Sequence, residues 1–139
     1  MYQAQQTYLE NEILQADPLE LVRILYRAAL EAVGKARIHL RSNEIKERSR
    51  QITKAGAIIN ELALSVDRER GGEIARNLVE LYDYMQRCLQ EANFQQSDAP
   101  LAELEKLLGT LLEAWENCMP APPPAAAASG LGMPLSLSC

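Results

Sequence analysis

Residues 17–41 read DPLELVRILYRAALEAVGKARIHLR. Asp17 suits an N-cap, Pro18 the first helical position, and Glu20, three residues after the cap, completes a capping box. Val22, Leu25, Ala29, Ala32, Ala36 and His39 then recur at steps of three and four and mark one helical stripe. Leu21, Ile24, Ala28, Leu30, Val33 and Leu40 widen that stripe, so the helix is apolar on more than one side. A helix with so broad an apolar surface is either central or has a second partner.

Downstream, the chain supplies three more helices. Ser42 or Asn43 offers the next N-cap. The second helix is expected from about Glu44 to Asp67, with Ile45, Ile52, Ala55, Ile59, Leu62 and Val66 in a heptad-like stripe. RERGGE (68–73) should break it, because paired glycines disfavour a helix interior and permit a tight turn. The third helix is expected from about Glu73 to Asn93. One stripe holds Ile74, Leu78, Leu81, Met85, Cys88 and Ala92, and a second holds Ala75, Val79, Tyr82 and Leu89. NFQQSDAP (93–100) is polar and turn-like, and Ser97 or Asp98 can start a fourth helix carrying Leu101, Leu104, Leu108, Leu111, Trp115 and Cys118. No strand candidate is present. Short connections between long helices give an all-α antiparallel four-helix bundle over residues 17–119.

Two segments flank the bundle. Residues 1–16, MYQAQQTYLENEILQA, carry Tyr2, Tyr8, Leu9, Ile13 and Leu14, more apolar surface than a disordered tail needs. Residues 120–139, PAPPPAAAASGLGMPLSLSC, are low-complexity and are expected to be extended, mobile and dispensable for folding. Within them Leu131, Met133, Leu135 and Leu137 alternate, and such a short apolar end can lodge in an empty groove.

Composition narrows the function. The formal net charge is −5 and the pI about 4.9, which argues against a general nucleic-acid binder and against docking on an anionic membrane surface. No apolar run has the length of a membrane span, so no membrane insertion is expected. The N-terminus lacks the basic start and apolar core of a signal peptide. Cys88, Cys118 and Cys139 are an odd number without CxxC spacing, which reads as a reduced, cytoplasmic protein.

The residues needed for catalysis are missing. His39 is the sole histidine and reads as a helix-end residue near the carbonyl dipole. A di-iron bundle needs two Glu-x-x-His pairs, and Ala36 stands three before His39. Glu103, Glu105 and Glu113 read as a solvated face, and Cys88 and Cys118 as small core hydrophobes. No enzyme activity, cofactor or metal is expected. Binding remains. The apolar surface exceeds what one core uses, and Tyr84 falls with Arg87 and Glu91 on a polar side, an aromatic ring beside a cation.

At this level the sequence resembles the flagellar secretion chaperone family. The likeness begins at Tyr8, Asn11, Ile13, Ala16, Asp17 and Pro18, continues through Leu21 and ILY (24–26), and in the second helix through Lys54, Ala55, Ile58, Ile59 and Leu62. GGEIARNLVELYDYM (71–85) is the most specific stretch, followed by Arg87, Leu89, Ala92 and Asn93, with AW (114–115) closing the fourth helix. Gln15, Arg27 and Cys88 depart from the family pattern.

The resemblance implies a cytosolic chaperone that binds the C-terminal segment of flagellin, prevents its premature polymerisation, and delivers it to a component of the flagellar export gate. A disordered amphipathic ligand needs long apolar grooves, because ordering it costs about 2–5 kcal/mol or more. Partner contacts are then expected at Tyr8, Ile13, Leu21, Leu25, Ile52, Ala55, Ile59, Leu62, Tyr82, Tyr84, Met85, Arg87 and Asn93. Residues 1–16 would be a lid over a groove that is otherwise an exposed apolar patch. A hydrophobic staple with a frayed end is the alternative for that segment. For the whole chain the alternative is a self-assembling structural or adaptor bundle. A chaperone should be a monomer or weak homodimer on its own.

Overall fold

The helix that opens the sequence forms as its periodicity dictates. In the computed structural model, which describes residues 18–117, α1 spans Pro18–Arg41 and buries Ile24, Leu25, Tyr26, Ala29, Ala32, Val33 and Ala36. The proposed cap Asp17, the 1–16 lid with Tyr8 and Ile13, Cys118, and the 120–139 tail lie outside the described residues.

α1 is ended by Asn43, not followed by a cap there. Asn43 adopts φ 58°, the left-handed region that asparagine tolerates. Its N–H donates to the Leu40 carbonyl at 3.1 Å and the Glu44 N–H to the His39 carbonyl at 2.8 Å, the paired bonds of a Schellman stop. α2 then runs Ile45–Leu64, with Glu44 at the cap position and no side-chain cap bond, so neither Ser42 nor Asn43 fills that role. The His39 ring instead meets the Glu44 carboxylate at 2.7 Å across the turn.

The second break falls earlier than the glycine pair suggests. α2 stops at Leu64, three residues short of Asp67, and Asp67 caps the next helix: its carboxylate accepts from the N–H groups of Glu69 and Arg70 at 3.1 and 3.0 Å. α3 therefore runs Arg68–Gln95 with a kink at Gly72, whose φ 58° and ψ −133° suit only glycine. The glycine pair bends a helix already begun. At the other end Gln96 takes φ 53°, and both its N–H and that of Ser97 reach the Ala92 carbonyl. α4 spans Ala99–Asn117.

Each helix packs against its sequence neighbours, and α1 closes the ring onto α4. The pairings run antiparallel: Arg27 near the start of α1 meets Glu116 at the end of α4, while Arg37 near the end of α1 meets Asp98 and Glu105 at the start of α4. Arg48 at the start of α2 meets Asn93 near the end of α3. The core is one cluster of aliphatic and small residues from all four helices. A buried hydroxyl pair crosses it, Tyr26 to Tyr82 at 2.6 Å, with the half-buried Trp115 of α4 close to the Tyr26 hydroxyl. No strand occurs among the described residues, and no described helix is long and apolar enough to cross a membrane.

Candidate functional site

Between α2 and α3 the surface opens into a groove of about 780 Å³. Its geometry starts from Gly56. A Cβ at that position would stand 3.1 Å from Gln86 Oε1 and 3.7 Å from Leu89 Cδ1, so a larger residue there would press on the Gln86 side chain by a few tenths of an ångström. The Gln86 amide donates to the Gly56 carbonyl at 2.9 Å and ties the two helices at the groove floor. Ile52 and Leu89 supply buried apolar surface beneath it.

One end of the groove is fixed by a polar cluster. Asn93 Oδ1 accepts from Arg48 Nε at 3.2 Å and from Ser49 Oγ at 3.1 Å. Arg48 is 3% exposed, so the half-buried Asn93 supplies its guanidinium with a partner that burial makes necessary. Phe94 follows directly and is 88% exposed, a ring held at the groove's edge against nothing. The rest of the lining is rich in neutral amides, Gln86, Gln90 and Gln95 among them.

On the neighbouring face of α3, the Arg87 guanidinium lies 5.7 Å from the centroid of the Tyr84 ring, within cation–π range. The Tyr84 hydroxyl donates to Glu103 on α4 at 2.5 Å, and this bond to a carboxylate pushes the phenol above its usual pKa. The aromatic–cation pair expected from spacing is thus formed.

The thirteen expected contact residues separate into three groups. Leu25, Ala55, Ile59, Leu62, Tyr82 and Met85 are core, none more than 4% exposed, and shape the bundle from within. Ile52 and Asn93 line the groove with Arg87, and Leu21 and Tyr84 are half-buried at the edge of the core. Tyr8 and Ile13 lie outside the described residues. Stripe reasoning selected residues by periodicity, and periodicity marks the core face first.

Sequence reading missed Tyr26, Arg48, Gln51 and Phe94. Tyr26 is fully buried, and its position three before Ala29 and seven before Val33 was the available signal. Arg48 and Gln51 are polar yet buried, and no local pattern marks that. Phe94 sat in a stretch read as turn and belongs to the last turn of α3. Cys88 is buried and its thiol is pushed up by desolvation, as suits a core residue. Among the described residues no group of His, Cys, Asp and Glu is arranged to hold a metal ion.

Comparison with known proteins finds relatives over most of the chain. The family model described as flagellar protein FliS matches residues 1–122. The flagellar secretion chaperone FliS of Salmonella typhimurium is 38% identical over 116 residues, covering 83% of this chain and 86% of the relative. The flagellar secretion chaperone FliSB of Pseudomonas aeruginosa is 37% identical over 117 residues, covering 84% of this chain and 93% of its own. The flagellar secretion chaperone FliS of Escherichia coli is 30% identical over 115 residues, covering 82% and 85%.

Proposed function

We propose, because this chain belongs to the family of flagellar protein FliS, that it is a non-enzymatic flagellar export chaperone acting in the cytoplasm. Its client is the C-terminal segment of flagellin, held so that it does not polymerise before export and then passed to a component of the flagellar export gate. The observation that carries the reading is the family match, which spans every described residue and extends over the 1–16 segment.

The geometry supports it. Half-buried leucines on three helices, Leu21, Leu78, Leu81, Leu107, Leu111 and Leu112, pack on the core and leave apolar surface for a helical client. Such a client contributes affinity by burying apolar area, so binding should carry a negative heat-capacity change. In this reading the free chaperone is a monomer or weak homodimer and residues 1–16 are its lid.

The test is a pull-down with full-length flagellin beside flagellin lacking its C-terminal segment, followed by calorimetry at several temperatures. Capture of the first alone, with a negative heat-capacity change, is the expected result. Equal capture of both, or of neither, refutes the reading.

A further inference from the structure

Phe94, 88% exposed, is the most open large apolar residue among the described residues, and it stands at the end of the α2–α3 groove where Asn93 holds Arg48 and Ser49. Ile45, 51% exposed, lies one turn before Ser49 on the same face of α2, at the same end. From there the groove runs over Ile52 and Leu89 toward Gly56 and Gln86. One surface thus carries a protruding ring and, about two turns away along α3, an apolar hollow that can take a ring.

Charge has the same duality. Arg87 and Glu91 both line the groove, both are exposed, and they stand one turn apart on α3, about 6 Å along its axis. Among the described residues neither forms an ion pair, and Arg87 rests on the Tyr84 ring. A partner of one sign of charge satisfies one of the two and repels the other. A surface that holds both ring and hollow, and both signs of charge, is complementary to its own copy turned through 180°. Two α3 helices set antiparallel, with the two-fold axis level with Gln90, show the fit. Phe94, four residues beyond the axis, falls level with Gln86 of the other copy, four residues before it. Arg87, three residues before the axis, comes within two residues of the other copy's Glu91.

We propose that two copies of this chain associate through this face, each Phe94 seated in the other's α2–α3 groove and each Arg87 paired with the other's Glu91. A small apolar area, and a net charge of −5 on both copies, make this a weak, transient dimer. Pairing covers the most exposed ring of the free protein, an aggregation hazard when left open. The contact does not depend on which client the protein carries.

Sedimentation equilibrium of the full chain in reducing buffer, which excludes disulfide-linked dimers, reads the mass over a concentration series. The mass should rise from one copy toward two. Phe94→Ser removes a ring that is almost wholly outside the core and should raise the dissociation constant about tenfold or more. Arg87→Glu puts two carboxylates on the face and Glu91→Arg two cations, so each variant alone should associate less than the parent. Mixed in equal amounts they should recover association, because both contacts of the mixed dimer then join a cation to a carboxylate. Thermal melts matching the parent certify the fold, and Phe94→Ser carries the test for any charge variant that does not fold. A mass of one copy throughout the series overturns the proposal. So does association that Phe94→Ser leaves unchanged, or folded charge variants that associate no better together than alone.

Discussion

Tyr26 and Tyr82 share a hydrogen bond at 2.6 Å in a core otherwise built of aliphatic and small residues. Removing one hydroxyl leaves the other buried with a lost partner, which costs about 1–3 kcal/mol, whereas removing both is closer to neutral. Tyr82→Phe should therefore destabilise the protein in urea, and Tyr26→Phe with Tyr82→Phe should cost less than the sum of the two single changes. Burial, first of all, raises the pKa of both phenols above the ordinary value of 10. A raised folded value means stability that is complete below pH 10 and lost as pH climbs above it. Alkaline unfolding should shift to higher pH when both are phenylalanine, as followed by circular dichroism.

Arg37 gives the opposite sign at the other end of the scale. Its guanidinium holds both oxygens of Asp98, at 2.8 and 2.9 Å, and also reaches Glu105. The hydrogen bonds from Arg37 are the main reason the Asp98 carboxyl lies below its ordinary 3.8. A depressed value means stability present above about pH 3.8 and lost as pH falls through the folded value. Both carboxylates are more than a third exposed, so solvent screening keeps the effect modest. Arg37→Met should flatten acid denaturation near that pH while leaving the melting temperature at neutral pH only slightly reduced; an unaltered acid limb would mean the fork contributes nothing.

At the scale of elements, the start of α3 holds the sharpest contrast. Asp67→Ala removes two bonds to backbone N–H groups and should cost about 0.5–2 kcal/mol. Gly72→Ala meets no atom within 4 Å, so any cost is backbone strain alone, about 1–3 kcal/mol. Gly71→Ala lies in a helical turn and should be neutral or stabilising by up to about 1 kcal/mol. Thermal melts of the three variants decide this, and equal effects of the two alanines would contradict the kink. The sequence pattern made the four helices legible because each has a stripe long enough to outvote local ambiguity. It placed this boundary late because the stripe through Leu62 and Val66 runs into Asp67, and capping is decided by which neighbouring N–H groups lack partners, a fact of three dimensions. Asn43 was misread for the same reason: an asparagine between helices suits either a stop or a start.

At the scale of the molecule, the all-α bundle and its antiparallel order followed from helix count and short connections. The groove did not. Which residues of a stripe face the core and which face a groove depends on how near two helices approach, and between α2 and α3 the Gly56 carbonyl and the Gln86 amide meet across that approach. Arg48 could not be foreseen as buried because its partner Asn93 lies 45 residues away. On the lid reading, deleting residues 1–16 should speed association of a flagellin C-terminal peptide, since no opening step precedes binding. Stopped-flow comparison with the full chain and with Tyr8→Ala, Ile13→Ala measures this, and identical rates would leave only the staple.

The place of Trp115 beside the Tyr26 hydroxyl has an optical consequence. The chain has one tryptophan, so its entire indole fluorescence comes from this half-buried ring. The ring sits where α4 ends beside the opening turns of α1, the point at which any segment preceding Pro18 must depart. Its emission colour is then a built-in gauge of how wet that end of the bundle is. Trimming residues 1–16 should move the emission to longer wavelength if they cover this end, and a client that takes their place should move it back; an unchanged spectrum on trimming would show that they lie elsewhere.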